Sequence, residues 1–264
     1  MHYYLFCRPF VIKLKMKYLL VLFLSVSILA FSSIRTEKNP FEGEPDGALL
    51  PVIYQFESHI KGLYLINHYD DKINYDAFRF AMMGYYNMRA QNLLEKDSLV
   101  TIIDFTLPSN QKRMHIINLN TGKIVVSTLV AHGMNTGEEM PNRFSNKDKS
   151  KQSCMGFFYT SETYDGRHEY SLKIDGIDTL YNNNARNRGI VFHGADYVSE
   201  DYIKYNGRLG RSFGCPALPQ KTNQYIVDLI KGGSMVFIYS GNPKYLASSK
   251  YLDLERAAEY FCEN

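Results

Sequence analysis

From residue 98 to residue 239 the chain is written in short runs of β-formers separated by turn signals, and this pattern narrows the architectures open to it. Val100, Ile102, Ile103 and Phe105 open the series. Residues 113–119 and 123–130 read as a hairpin around Asn120-Thr121-Gly122, because Asn and Gly tolerate the left-handed backbone of a tight turn. Residues 156–160 and 169–174 make two further strands, with Asp165-Gly166 between them and Asp175-Gly176 after them. Short buried strands are expected at 188–192 and 235–239, with a helix over 222–231 stopped by Gly232-Gly233. Upstream, Phe78, Met82, Tyr85 and Tyr86 recur at helical spacing within 74–96, Asn74 capping the start and Gly84 weakening it slightly. Residues 251–259 suit one short amphipathic helix. The fold expected is mainly β, with a small helical N-terminal portion packed on it. Tyrosine reaches 21 while tryptophan is absent, a composition that leans the same way.

The first 33 residues stand apart. Lys13, Lys15 and Lys17 precede an uncharged run over 18–34, and small residues follow around Ala30, Ser32 and Ser33. That is the layout of a secretory signal, and the run is marginal for a spanning helix, which needs roughly 20 apolar residues. Met16-Lys17 would serve equally as a start. The protein is therefore expected to be exported, to the periplasm or cell envelope, touching membrane only through this segment if it is left uncleaved. Losing residues 1–32 takes four of the 30 basic side chains and no acidic one, leaving 26 against 27. The pI of 8.5 then belongs largely to the leader, and nothing in the charge calls for nucleic acid. Residues 34–50, rich in Glu, Gly, Pro and Asn, read as a linker.

Export leaves three cysteines, Cys154, Cys215 and Cys262, so at least one thiol has no partner within the chain. Cys154 and Cys262 either pair with each other or both stay reduced. Cys215 stands between Gly214 and Pro216, with Arg208 and Arg211 upstream, and Ile190-Val191-Phe192-His193-Gly194 ends an earlier apolar run. An isolated Cys and His would read as a small buried hydrophobe and a core histidine. Here the flanking cations and the His-Gly supply what a thiol nucleophile needs: positive charge that favours thiolate, and a base. His193 is the candidate base, at a strand end. Cys215 is the candidate nucleophile, on a glycine-rich connection ahead of a helix. No metal cluster, no nucleotide-binding glycine loop and no cofactor signature accompanies them.

These residues resemble the L,D-transpeptidase (YkuD-like) family, in its murein L,D-transpeptidase catalytic domain branch. The family signature is His-Gly followed by Ser-X-Gly-Cys, met here as His193-Gly194 and Ser212-Phe213-Gly214-Cys215. Ile103-Asp104, Pro108-Ser109, Val130-Ala131-His132-Gly133, Phe144-Ser145-Asn146, Gly156-Phe157-Phe158, Ser171-Leu172 and Gly207-Arg208-Leu209-Gly210-Arg211 are also similar to that branch. The resemblance implies a β-sandwich-like catalytic domain over 98–245, with 51–97 as the helical portion and 246–264 as a tail. It implies that Cys215 attacks the bond between the L-centre of a diamino acid and a terminal D-alanine in a peptidoglycan stem peptide, forming a thioester that an acceptor amine resolves into a 3→3 cross-link.

In that reading His193 is general base and then acid, the carbonyl of Gly194 orients it, and Ser212 holds the turn or bonds near the histidine. Gly214 permits a backbone geometry closed to other residues, and the N–H groups of Gly214 and Cys215 form an oxyanion hole. The family often carries Arg or Asn two positions after the nucleophile, where this chain has Ala217. Arg211 and Arg208 are then the candidates to grip the substrate carboxylate, with bracing of their loop as the alternative. His132 is placed near the cleft or in a structural hydrogen bond. Carbapenem-type inhibitors would acylate the same sulfur. With water as acceptor the site would be an L,D-carboxypeptidase or related hydrolase, and a non-catalytic envelope-binding protein would have no use for an intact His193 and Cys215.

Overall fold

The structure, a computed structural model, describes residues 49–264, and Leu49–Asn264 form one compact unit. The expected leader, nearly all of the linker and Cys7 lie outside the described residues. Among those described, no helix is long and apolar enough to cross a membrane.

Two helices come first, α1 (Leu50–Ile66) and α2 (Tyr75–Ala90). Asn74 caps α2 as its sequence predicts, its side-chain oxygen accepting from the N–H groups of Asp76 at 2.8 Å and Ala77 at 3.2 Å. Helix α1 starts with Pro51 in its first turn and buries Phe56, Ile60 and Tyr64, a four-residue spacing that keeps one face inward. The expected linker therefore ends where α1 begins.

Eight strands follow: β1 (Leu99–Asp104), β2 (Met114–Asn118), β3 (Lys123–Thr128), β4 (Gly156–Gly166), β5 (Glu169–Gly176), β6 (Val191–Ala195), β7 (Ala217–Pro219) and β8 (Met235–Tyr239). Helix α3 (Glu200–Asn206) lies between β6 and β7, and α4 (Gln220–Ile230) between β7 and β8. The chain ends with α5 (Pro243–Leu246), a 3-10 turn (Lys250–Leu252) and α6 (Leu254–Glu263). The strands form a single sheet in the order β3-β2-β1-β8-β4-β5-β6-β7, with β1–β8 and β6–β7 parallel and the other pairs antiparallel. Its two ends are drawn together by the chain that leaves β3: the Ala131 N–H donates to the Ala217 carbonyl at 2.9 Å, and the Met134 N–H to the Ser212 carbonyl at 2.8 Å. The sandwich-like core is thus made by one sheet curled nearly to a barrel.

One apolar core lies between the sheet and α1, α2 and α6, built on Phe56, Phe78, Met82, Phe157 and Phe237. Phe56 meets Tyr86 and Phe261 edge-on at 5.4 and 5.7 Å, a geometry that aromatic quadrupoles favour. The second core lies inside the curl, where Phe158, Phe192, Ile226 and Ile230 close it with α4. Strands β6 and β7 take part in this inner wall, and the candidate catalytic residues sit on it.

Candidate active site

All five residues of β6 are buried, His193 among them. Its Nδ1 lies 2.9 Å from the Gly194 carbonyl oxygen. A carbonyl only accepts, so Nδ1 carries the proton and Nε2 is left with the lone pair, the state a general base requires. Burial is the main influence lowering the His193 pKa below 6.5; the nearby His168 adds to this and the Gly194 carbonyl opposes it. The imidazole is therefore neutral at neutral pH. His168 comes from the β4–β5 turn and stacks on His193 with ring centroids 4.4 Å apart.

Parallel pairing of β6 with β7 sets His193 opposite Ala217, so Cys215 lies one strand across from the histidine and two residues upstream of its partner. The thiol is half-buried and donates to the Gly189 carbonyl at 3.5 Å. Burial pushes its pKa up, opposed by the Val191 N–H, by the charge of Arg188 and by its own backbone N–H. Resting sulfur and resting imidazole are thus both neutral. Cys154 is a buried free thiol, so the alternative bridge to Cys262 is not made.

The connection carrying the sulfur is tightly tied. The Ser212 hydroxyl donates to the Cys215 carbonyl at 2.6 Å and accepts from the Gly214 N–H at 3.0 Å, closing the turn from within. The Ser212 N–H donates to the His132 carbonyl, and the Ser153 hydroxyl to the Gly214 carbonyl, each at 3.0 Å. Gly214 has φ +132°, and a Cβ there would stand 2.8 Å from the Gln152 carbonyl oxygen, so glycine is required twice over. One expectation changes here: the Gly214 N–H is spent on Ser212 and does not face the cleft as an oxyanion donor.

The expected substrate-binding residues are placed differently. Arg211 donates to the carbonyls of Met134 and Gly137 and to Glu138 Oε1 at 2.6 Å, while Arg208 pairs with Glu138 at 3.1 Å and bonds the Leu209 carbonyl. Both arginines brace their loop, sharing the single carboxylate of Glu138. His132 has no exposed surface. Its Nδ1 accepts from Arg113 at 2.8 Å and its Nε2–H donates to the Gly137 carbonyl at 3.2 Å; burial and the Arg113 charge push its pKa down to about 3. It is a structural histidine that no substrate reaches.

Three residues escaped sequence reasoning. Arg113 is wholly buried under Phe105, its guanidinium 4.7 Å from the ring and bonded to the Leu107 and Val130 carbonyls as well as His132. Arg188 lies against the turn that carries Cys215, and His168 stacks on His193. No local pattern marks these residues, because strand pairing brings them in from elsewhere in the chain. Beside His168 a cavity of about 440 Å³ opens, lined by Arg167, Glu169, Gly194, Asp196 and Tyr197 among others. Among the described residues no cluster of three or more His, Cys, Asp or Glu is set to hold a metal ion.

Among curated proteins no sequence matches this chain. Solved structures similar to it include an L,D-transpeptidase from Mycobacterium smegmatis at 10% identity and a TM-score of 0.34, over 54% of this chain and 59% of that one. The Mycobacterium tuberculosis L,D-transpeptidase 1 is similar at 10% identity and a TM-score of 0.32, over 54% and 62%. The Bdellovibrio bacteriovorus protein Bd1075 is similar at 14% identity and a TM-score of 0.35, over 65% and 59%. The chain spans about three fifths of the length of these structures. Residues 69–239, well over half of the 264, match the family described as L,D-transpeptidase catalytic domain, running from the turn before α2 to the end of β8 through both halves of the Cys/His site, and the chain belongs to that family of enzymes.

Proposed function

We propose that the protein is a cysteine acyltransferase acting on peptidoglycan stem peptides, with Cys215 as nucleophile and His193 as its base. The observation that carries this reading is the fixed tautomer of His193: a Gly194 carbonyl holds Nδ1–H, and Nε2 is left basic on the strand beside the one that follows Cys215. His193 Nε2 takes the thiol proton as sulfur adds to the carbonyl joining the diamino acid's L-centre to terminal D-alanine. The C–N bond breaks, the same proton passes to the departing amine, and D-alanine leaves behind a thioester on Cys215. An acceptor amine from a second stem then attacks the thioester, gives its proton to His193 and leaves with the acyl group as a new amide. The sulfur recovers the proton.

With the Gly214 N–H engaged by Ser212, the Cys215 N–H is the donor left from the expected pair to meet the developing oxyanion. Donors of this kind each contribute about 10²–10³ in rate. We read residues 1–33 as an export signal, which puts this chemistry in the periplasm or cell envelope, where the substrate lies.

Incubating the mature domain with a defined disaccharide tetrapeptide and weighing the products tests the reading. The expected product is a cross-linked dimer with release of D-alanine. Disaccharide tripeptide alone would assign a carboxypeptidase, and unchanged substrate would assign a binding protein; either overturns the transferase.

A further inference from the structure

The motif arginines are occupied elsewhere, which leaves open what supports a sulfur that burial holds in its neutral form. One segment answers the sulfur with four groups. Gly189 offers the carbonyl that accepts S–H, Val191 turns its N–H toward the thiol, His193 brings the base, and Arg188 brings a charge.

The guanidinium of Arg188 is fixed on several sides. Nη1 donates to the Ser145 carbonyl at 2.5 Å and lies 2.7 Å from Cys154 Sγ; Nη2 donates to the Gln152 carbonyl at 2.6 Å and to the Ser150 hydroxyl at 3.1 Å. These partners are carbonyls, a hydroxyl and a thiol whose pKa burial pushes up to about 11, so none is anionic at neutral pH and the charge is not cancelled locally. The same Nη2 also lies against the turn that carries Cys215: a Cβ on Gly214 would stand 3.4 Å from it. That distance is ordinary van der Waals contact and sets the guanidinium directly against the residue before Cys215. Loop 145–152 is bonded to Arg188, and the adjoining Ser153 is bonded to the Gly214 carbonyl, so Arg188 holds the turn through this loop.

We propose that Arg188 is a positioning residue for the Cys215 sulfur, clamping the turn that carries it and holding an uncancelled positive charge behind it that favours ionised sulfur as acyl transfer proceeds. This inference rests on Cys215 being the nucleophile but not on which acyl group it takes. A thiolate beside a guanidinium is stabilised by Coulomb attraction that partial burial strengthens, because less water screens it. A lysine would keep the charge without the fork that bonds two carbonyls at once.

The test is the pH dependence of alkylation by iodoacetamide, in which ionised sulfur displaces iodide, followed by mass spectrometry on the peptide carrying Cys215. In Arg188→Met the midpoint is expected to rise by about one pH unit, making alkylation at neutral pH about tenfold slower, while Arg188→Lys stays close to wild type. If the Met variant does not fold, as read by thermal unfolding, Arg188→Gln replaces it and should show the same rise, since its amide can still bond the loop carbonyls without charge. A neutral variant that titrates like wild type, or a Lys variant that moves as far as the neutral one, overturns the proposal. Because no stem peptide is used, this result is separable from failure of the transferase reading, which shows in product analysis alone.

Discussion

His193 has to be neutral to take a proton, and its surroundings favour that state: burial is the larger influence, and the stacked His168 adds to it. The acid limb of kcat/KM should therefore fall below pH 6.5, where a solvent-exposed imidazole would put it. Removing His168 uncovers the ring and takes away the neighbour that disfavours its charged form, and both changes raise the pKa of His193. His168→Ala is accordingly expected to move the acid limb to higher pH while leaving the plateau within about tenfold, as a pH–rate series would show. That Cys215, His193 and Ser212 share one corner of the sheet was legible because the motif that contains them is compact in sequence and β6 pairs with β7. For Arg208, Arg211 and His132 the sequence left substrate binding and structural bracing equally open, since charge and residue type do not reveal that Glu138 and Arg113 already engage them. Arg113 and Arg188 were silent for a related reason: a buried arginine has the same letter as an exposed one.

Among the elements, the hairpins could be read because their turn chemistry is local. The β2–β3 turn at Gly122 has φ +65°, as its Asn-Thr-Gly sequence demands. Strand β7 has three residues and α3 buries none, so neither leaves a periodic trace in the sequence. Strand β6 runs three residues further than its apolar signal, through His193-Gly194-Ala195, because pairing with β7 recruits them. Gly84 shows how packing overrides local preference. Mid-helix glycine costs roughly 1 kcal/mol of helix stability against alanine, yet a Cβ there would stand 2.1 Å from the Phe157 ring. The close approach of α2 to β4 requires that absence. Gly84→Ala is therefore expected to destabilise the fold by about 1–3 kcal/mol in urea unfolding, the cost of overpacking, despite its better helix propensity. Stability unchanged or raised would place α2 further from the sheet.

For the molecule as a whole, burial holds His59, His115, His132 and His193 below 6.5, with His115 pushed down to about 4 and His132 to about 3. In the unfolded chain these rings take up protons near pH 6.5, while in the fold they stay neutral to lower pH, His115 to about 4 and His132 to about 3, so their contribution is fully present above 6.5 and is lost as the pH falls from there through the folded values. Asp104 and Asp178, whose carboxyls burial pushes up, act in the opposite sense and offset part of it. The unfolding free energy from urea titrations should fall steadily between pH 7 and pH 5, by about 2 kcal/mol for each of His115 and His132. A stability independent of pH across that range would contradict the burial described here. The near-closure of the sheet was not legible in the sequence, because the contacts that join its ends link Ala131 to Ala217 and Met134 to Ser212, across some eighty residues that no local pattern relates. That closure helps hold the turn of Cys215 beside the strand of His193. The most direct measurement of whether it has built an acylating site is intact-mass analysis of the mature protein after exposure to a carbapenem, with the adduct mapped by peptide. One covalent adduct on Cys215, lost in Cys215→Ala and formed much more slowly in His193→Ala, is the predicted result; an adduct that persists in the Cys215→Ala protein, or no adduct on the wild type, would contradict it.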